Sequence, residues 1–174
     1  MTARRTLNLR SNADRPERWL AGVALACLAA VGVALVSQHA FDMQPCPWCV
    51  LQRLIYLAVA LVCGLGLLWR SATGRRVVAG VGALLALLGV ASAWWQHYRA
   101  AASASCNLTL ADKIVSSWLQ LDSLVPDLFA ARASCADAAV SLIGVPYALW
   151  SLALFGAFAV ALAQVALRRK DPGF

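Results

Sequence analysis

The sequence predicts an all-α membrane protein: a four-transmembrane-helix bundle with a short amphipathic helix in the second of two outward-facing loops. Three observations carry this. Charged residues make up 13% of the 174 residues, against about 25% in a soluble domain, while 61% are hydrophobic and mean hydropathy is +0.70. Four stretches, 19–37, 50–69, 77–95 and 146–167, are each long and apolar enough to cross about 30 Å of hydrocarbon. The cations, finally, gather at alternate ends of those stretches. One bundle of four helices uses nearly all of residues 1–174, so a single domain is expected.

Taken in order, the first stretch follows Arg4, Arg5, Arg10, Arg15 and Arg18. Its apolar run is longer than the core of a signal peptide, and Gln38-His39-Ala40-Phe41 does not resemble a small-residue cleavage site, so the stretch is expected to stay as a span. Arg70, Arg75 and Arg76 join the second and third stretches, and Arg168, Arg169 and Lys170 follow the fourth. Residues 38–49 hold no Lys or Arg, and residues 98–144 hold Arg99, Lys113 and Arg132. The positive-inside rule therefore puts both termini in the cytoplasm and both remaining loops outside. A net charge of +7 raises nucleic-acid binding as an alternative. The basic residues flank apolar spans, however, so topology accounts for them and the expected partner is a lipid bilayer.

Residues 98–144 are too many for a bare connection. Ile114, Val115, Trp118, Leu119, Leu121, Leu124, Val125, Leu128 and Phe129 recur at spacings of three and four among polar residues. That pattern predicts one or two short amphipathic helices lying on the membrane, interrupted at Pro126. They would tether Cys106 and Cys135 near the surface, within reach of Cys46 and Cys49, and could equally cap the bundle.

Six cysteines divide by location. Cys27 and Cys63 fall inside spans one and two, where a free thiol behaves as a small hydrophobe. Cys46, Cys49, Cys106 and Cys135 fall on the outer side, which in a bacterium is the disulfide-permissive periplasm. Four cysteines allow three connectivities, of which one pair within each loop is the natural resting arrangement. A Cys₄ zinc site would ordinarily use two closely spaced pairs, and here only Cys46 and Cys49 are closely spaced, so no metal is expected. Static disulfides are a second alternative. A four-residue Cys46–Cys49 loop restrains an unfolded chain little, which favours exchange chemistry over stabilisation.

Pro47 suits the first turn of a helix, and Cys46 before it is biased to extended backbone. Span two should then start at Cys46–Pro47 with Cys49 in its first turn, where the helix dipole favours a thiolate. Arg53 stands four residues on, on the same helix face and about 6 Å deeper. A guanidinium there can hold Cys49 as thiolate or donate to a carbonyl of a small ligand; the alternative is a side chain that snorkels to the headgroups. His97, beyond Trp94-Trp95 at the outer end of span three, is a candidate second donor to the ligand, or else an interfacial histidine beside an aromatic belt.

These residues resemble the DsbB family of bacterial inner-membrane disulfide-forming proteins. The resemblance covers about residues 19–167 and is most specific in Pro45-Cys46-Pro47-Trp48-Cys49-Val50-Leu51-Gln52-Arg53, which is similar to the family's P-C-x-x-C-x-x-x-R. Leu119-Gln120-Leu121-Asp122-Ser123-Leu124-Val125-Pro126-Asp127-Leu128-Phe129 is similar to its L-x-L-D-x-x-x-P-x-x-F, and Gln96-His97, Gly144-Val145-Pro146 and Trp150 resemble its pattern more loosely. The chain departs from the family in the bulky Pro-Trp pair within its CxxC, in Asn107 after Cys106, and in having no Gly-Asp before Cys135. The resemblance implies a quinone-dependent thiol oxidase. Cys106 and Cys135 would form the disulfide that a reduced periplasmic DsbA-like protein of thioredoxin fold attacks, with Cys106 taking the mixed disulfide. Cys135 would exchange with Cys46, leaving Cys49 as the thiolate facing quinone, with Arg53 and His97 binding it; ubiquinone ranks ahead of menaquinone. The absence of a Gly-rich nucleotide motif and the site's place at an apolar entry agree with a lipid-soluble oxidant drawn from the membrane quinone pool. A vitamin-K-epoxide-reductase-like protein is the alternative enzyme, although that family places its CxxC at the end of a late helix. A non-catalytic membrane scaffold with fixed disulfides is the alternative of another class.

Overall fold

A computed structural model describes residues 16–100, 110–142 and 144–167. The N-terminal and C-terminal basic clusters expected to set topology, apart from Arg18, and Cys106 lie outside them. Four long helices cross the molecule: α1 (Pro16–Ala40), α2 (Pro47–Leu68), α3 (Ala72–Trp95) and, last in the chain, α7 (Tyr147–Leu167). All four are long and apolar enough to span a membrane, and this is an integral membrane protein with the all-α architecture expected. α1 extends past the 19–37 stretch at both ends, and α3 begins earlier than residue 77.

Between α3 and α7 the chain makes a wider π-type turn, Gln96–Ala100. After the undescribed residues it forms α4 (Leu110–Asp112) with a second π-type turn, Lys113–Trp118, then α5 (Leu121–Leu124) and α6 (Pro126–Phe129). A two-residue antiparallel ladder, β1 (Ser141–Leu142) with β2 (Val145–Pro146), leads into α7.

The amphipathic stretch is interrupted at Pro126 as expected: α5 ends at Leu124, and Pro126 opens α6 at its first turn, where the N–H it lacks would have no partner. A further interruption falls at Gln120, whose φ of +50° turns the chain between Trp118 and Leu121. The apolar residues also split between two faces. Ala111, Val115 and Phe129 are buried with Cys46, Trp48, Val50, Leu51 and Cys135, capping the start of α2, while Trp118 and Leu124 are exposed.

Helix packing is uneven, and the unevenness makes the site. The buried face of α3 is built from Ala79, Gly82, Ala83, Ala86, Gly89, Ser92 and Ala93, so α7 can approach it closely. Phe155 of α7 lies against Gly89, and Leu162 against Gly82. Phe155 is stacked on Tyr56 of α2 with ring centroids 4.0 Å apart, and Phe158 meets Tyr56 edge-on at 6.3 Å. α2 packs along both α1 and α3, whereas α1 touches α7 only sparsely, and a cleft is left between those two helices. Cys27 and Cys63 are fully buried in this core. At the end opposite the CxxC, Glu17 of α1 pairs with Arg75 of α3.

The Gly89 contact is the sharpest packing constraint. A Cβ there would collide with the Phe155 ring, and Tyr56 blocks the ring from moving away. Gly89→Ala should destabilise the bundle by about 1–3 kcal/mol through overpacking. Gly80→Ala, where nothing lies within 4 Å, should be neutral or slightly stabilising. Thermal unfolding of both variants in detergent micelles measures the contrast; equal midpoints would remove Gly89 from the α3–α7 contact.

Candidate functional site

The site begins with the backbone at Cys46. Its φ of −85° and ψ of 167° are the extended geometry that a following proline demands, and they make Cys46 the N-cap of α2 with Pro47 in the first turn. Cys46 Sγ accepts from the Cys49 N–H at 3.4 Å, so the thiol serves as a weak helix cap. Cys49 Sγ lies 2.9 Å from Cys46 Sγ, longer than a disulfide bond of about 2.05 Å, so the two are thiols in contact.

Cys135 is brought to the same place by its own loop. The backbone N–H groups of Arg132 and Ala133 both donate to Pro45 O, at 2.9 and 3.3 Å, clipping that loop to the residue before Cys46. Ser134 then holds a tight turn. Its hydroxyl donates to Asp137 Oδ2 at 2.6 Å, and its carbonyl accepts from the Ala138 N–H at 3.0 Å. Cys135 is buried and within hydrogen-bonding reach of Cys46. Of the pairs expected within each loop, Cys46 and Cys49 lie together, and the partner expected for Cys135, Cys106, is outside the described residues. Cys46 stands between Cys49 and Cys135, because the Pro45 clip and the α2 start converge on it. The Cys46 proton is held in place by its two sulfur neighbours, first Cys135 and then Cys49, which push its pKa up. Donation from Cys46 in turn lowers the Cys135 pKa against the effect of burial, with help from the Trp48 N–H.

Arg53 does not snorkel. It is 5% exposed, and Nη1 donates to Gln38 Oε1 at 2.8 Å and to Leu128 O at 3.2 Å, with Nη2 3.5 Å from Ala34 O. Gln38 in turn donates to Asp127 O at 3.2 Å. A buried cation is thereby held by three acceptors from the end of α1 and from α6, with N–H groups to spare.

The cleft between α1 and α7 forms a cavity of about 880 Å³. Cys49, Gln52, Arg53 and Gln96 gather at its polar end, and Ala30, Val31, Ala34, Ala153, Leu154 and Ala157 wall its deeper part. A quinone fits this donor set in kind: its ring carbonyls are acceptors for Arg53, and its apolar tail matches the deeper wall. Of the residues expected from sequence, Cys49 and Arg53 border the cavity, and Cys46 and Cys135 pack beside it. His97 does not. It packs edge-on against Tyr98 at 4.7 Å and borders a separate small cavity of about 20 Å³. Successive residues of a helical turn point roughly 100° apart, and here Gln96 takes the direction toward Cys49. Sequence reasoning missed Gln52, Gln96 and Tyr147 at this cavity, and Gln38 as the side chain that accepts from Arg53. The signal that could have found the glutamines was a polar residue inside an apolar stretch, Gln52, or directly after one, Gln38 and Gln96. Among the described residues no group of three or more His, Cys, Asp or Glu side chains is arranged so that it could hold a metal ion.

Comparison with known proteins places this chain in a family. The model of the family described as disulfide bond formation protein DsbB matches residues 16–165. The Disulfide bond formation protein B of Herminiimonas arsenicoxydans is 34% identical over 153 residues, covering 87% of this chain and 96% of that protein. The protein of the same name from Dechloromonas aromatica (strain RCB) is 31% identical over 158 residues, covering 88% and 93%. That from Pseudomonas syringae pv. tomato is 30% identical over 157 residues, covering 90% and 92%. The chain belongs to the DsbB family, and it is a membrane oxidoreductase of disulfide bond formation.

The Cys46–Cys135 contact has a measurable consequence. In fully reduced protein, alkylation of Cys135 should have a pH midpoint below the ordinary 9.0, since a lowered pKa keeps the thiolate at lower pH. Reactivity should fall as pH drops through that midpoint. Cys46→Ala removes the donor and should move the midpoint up, whereas Cys46→Ser, which can still donate, should move it less. Peptide mass spectrometry after timed alkylation reads Cys135 alone. An unmoved midpoint in Cys46→Ala would mean that the two sulfurs do not meet.

Proposed function

We propose, with that membership as premise, that the chain re-oxidises a reduced, soluble, DsbA-like protein of thioredoxin fold in the bacterial periplasm and passes the electrons to membrane quinone. The observation that carries this reading is the single cavity onto which both the Cys49 sulfur and the Arg53 guanidinium open, with an apolar wall leading away from them. The orientation proposed has both termini in the cytoplasm and the CxxC end outside. Arg18, Arg70, Arg75 and Arg76 at the opposite end of the bundle support it.

The proposed relay balances at each step. A thiolate of the partner attacks Cys106 Sγ, the Cys106–Cys135 bond breaks, and Cys135 leaves with the electron pair as a thiolate. That thiolate attacks Cys46 Sγ, the Cys46–Cys49 bond breaks, and Cys49 leaves as a thiolate at the first turn of α2. The second thiol of the partner then displaces Cys106 as a thiolate, releasing the partner as a disulfide. The Cys106 thiolate attacks Cys135 Sγ of the Cys46–Cys135 bond, restoring Cys106–Cys135 and freeing Cys46, so that Cys46 and Cys49 are the dithiol left to be re-oxidised. When bound, a quinone supplies the oxidising capacity, taking up two electrons and two protons. The chain's own contribution at that stage is to hold Cys49 against the cavity, to donate from Arg53 to a ring carbonyl, and to keep water from the apolar wall. The packing of Cys135 beside Cys46, and of Cys46 beside Cys49, supports the order of exchange.

The direct test is oxidation of a reduced thioredoxin-fold protein by the purified chain in micelles, with and without added quinone, ubiquinone first and menaquinone second. Oxidation of the partner should depend on quinone. Cys106→Ser should abolish partner oxidation yet leave Cys46 and Cys49 re-oxidisable by quinone. Normal partner turnover in that variant would sink the relay.

Arg53 gives a separate prediction. A hydrogen bond from a charged donor contributes about 1.5–3 kcal/mol, or roughly tenfold to a hundredfold in apparent affinity. Arg53→Ala should raise the quinone concentration for half-maximal turnover by about that factor while the mixed disulfide between Cys106 and the partner still forms. Arg53→Lys should recover part of the loss, because it keeps the charge without the planar fork. Quinone titration of the three forms decides, and an unchanged half-maximal concentration in Arg53→Ala would remove Arg53 from the quinone site.

A further inference from the structure

Cys49 has a neighbour that neither the CxxC motif nor Arg53 accounts for. Gln96 Nε2 lies 3.2 Å from Cys49 Sγ. The Gln96 side chain is held from two directions. Its backbone N–H is shared between Ser92 O and Ala93 O where α3 passes into the π-type turn, which fixes the root of the side chain. Its Oε1 accepts from Gln52 Nε2 at 2.6 Å, which fixes the tip. Gln96 and Gln52 are 6% and 4% exposed, so bulk water does not compete for either amide. π-type turns recur where a helix must redirect a side chain at a functional site.

We propose that Gln96, oriented by Gln52, is a positioning residue that presents an N–H to the Cys49 sulfur and so favours its thiolate over its thiol. A carboxamide has one donor end and one acceptor end. With the oxygen engaged by Gln52, the donor end faces Cys49. A donor stabilises the charged form of the sulfur, whereas the oxygen end would stabilise only the protonated form. Gln52 follows Cys49 by three residues on α2, so a single helix face carries both the sulfur and the group that sets the sense of the amide. Cys46, Cys135, Arg53 and Tyr147 are the other titratable groups around Cys49. The two glutamines act among them without adding charge to a membrane-embedded site. The assignment rests on the proposed function in one respect: it matters to turnover if Cys49 is the sulfur that meets the oxidant.

The test reads Cys49 itself. Fully reduced protein is treated with a small neutral alkylating reagent at fixed neutral pH, without quinone, and the Cys49 peptide is followed by mass spectrometry. Gln96→Leu fills a similar volume without a donor and should slow alkylation of Cys49 roughly three- to tenfold, the equivalent of one hydrogen bond. Gln52→Leu does not remove the Gln96 donor but frees the amide to turn, and it should slow alkylation in the same direction by less. Gln96→Asn keeps the amide but is one methylene short, and should behave like Gln96→Leu. Thermal unfolding confirms that each variant is folded; if Gln96→Leu is not, Gln96→Met takes its place. An unchanged rate in the Gln96 variant would leave the side chain as packing only, and a faster rate would mean that the amide presents its oxygen; either overturns the assignment. Because no quinone is present, the result is independent of the proposed electron acceptor. Slowed alkylation in a protein that passes no electrons to quinone would refute the function and keep the assignment.

Discussion

A positive charge placed inside an apolar bundle must be answered by the protein itself, and most of the site follows from how this chain answers it. Arg53 is one turn into α2 from Cys49, too buried to reach water. An unpaired buried guanidinium is costly enough that its position is set by where acceptors can be found. Three are supplied: the Gln38 side chain near the end of α1, the Ala34 carbonyl a turn earlier, and the Leu128 carbonyl of α6. The last carbonyls of any helix lack partners within it, so α6 offers an acceptor without losing a bond of its own. The loop between α3 and α7 is thereby fastened over the CxxC by the same cation that borders the cavity.

The sulfur arrangement follows from two further local constraints. Pro47 starts α2 and forces Cys46 into the N-cap, which points its thiol back along the helix start toward Cys49. Pro45, having a carbonyl but no N–H, accepts two backbone bonds from the segment that carries Cys135. Prolines on either side of Cys46 thus orient it toward one sulfur and attach the other to it. The central sulfur keeps its proton, and Cys135 beside it gains thiolate character from that proton. The approach of these two sulfurs is set by the packing of the Cys135 segment on the start of α2.

The cavity arises from asymmetry of side-chain size. Small residues on α3 draw α7 inward, and the Tyr56–Phe155 stack fills the space this leaves next to α2. With α7 committed to α3, the seam between α1 and α7 stays open, walled by alanines and ending at the polar groups near Cys49. Helices in a bilayer gain little from burying apolar surface against one another, so close contact is decided by shape, and an open seam facing lipid is tolerated.

The sequence by itself determined the class of the protein, four spans in order, the start of α2 at Cys46–Pro47 and the placing of Cys49 and Arg53 on one face. Those features depend on composition, helical periodicity and the chemistry of proline, all of which act within a few residues. It also singled out Cys135, and the family resemblance implied its exchange with Cys46. Tertiary structure decided that Cys135 meets Cys46, that Arg53 is answered by Gln38 and Leu128, and that Gln96, not His97, faces Cys49. Each of these depends on the rotation of one helix against another or on the path of a loop. A one-residue difference in the turn after α3 exchanges Gln96 for His97 without altering any local preference. Only the packing of α3 against α2 and α7 chooses between them, because it is there that a buried amide finds both a sulfur and a second amide to bond.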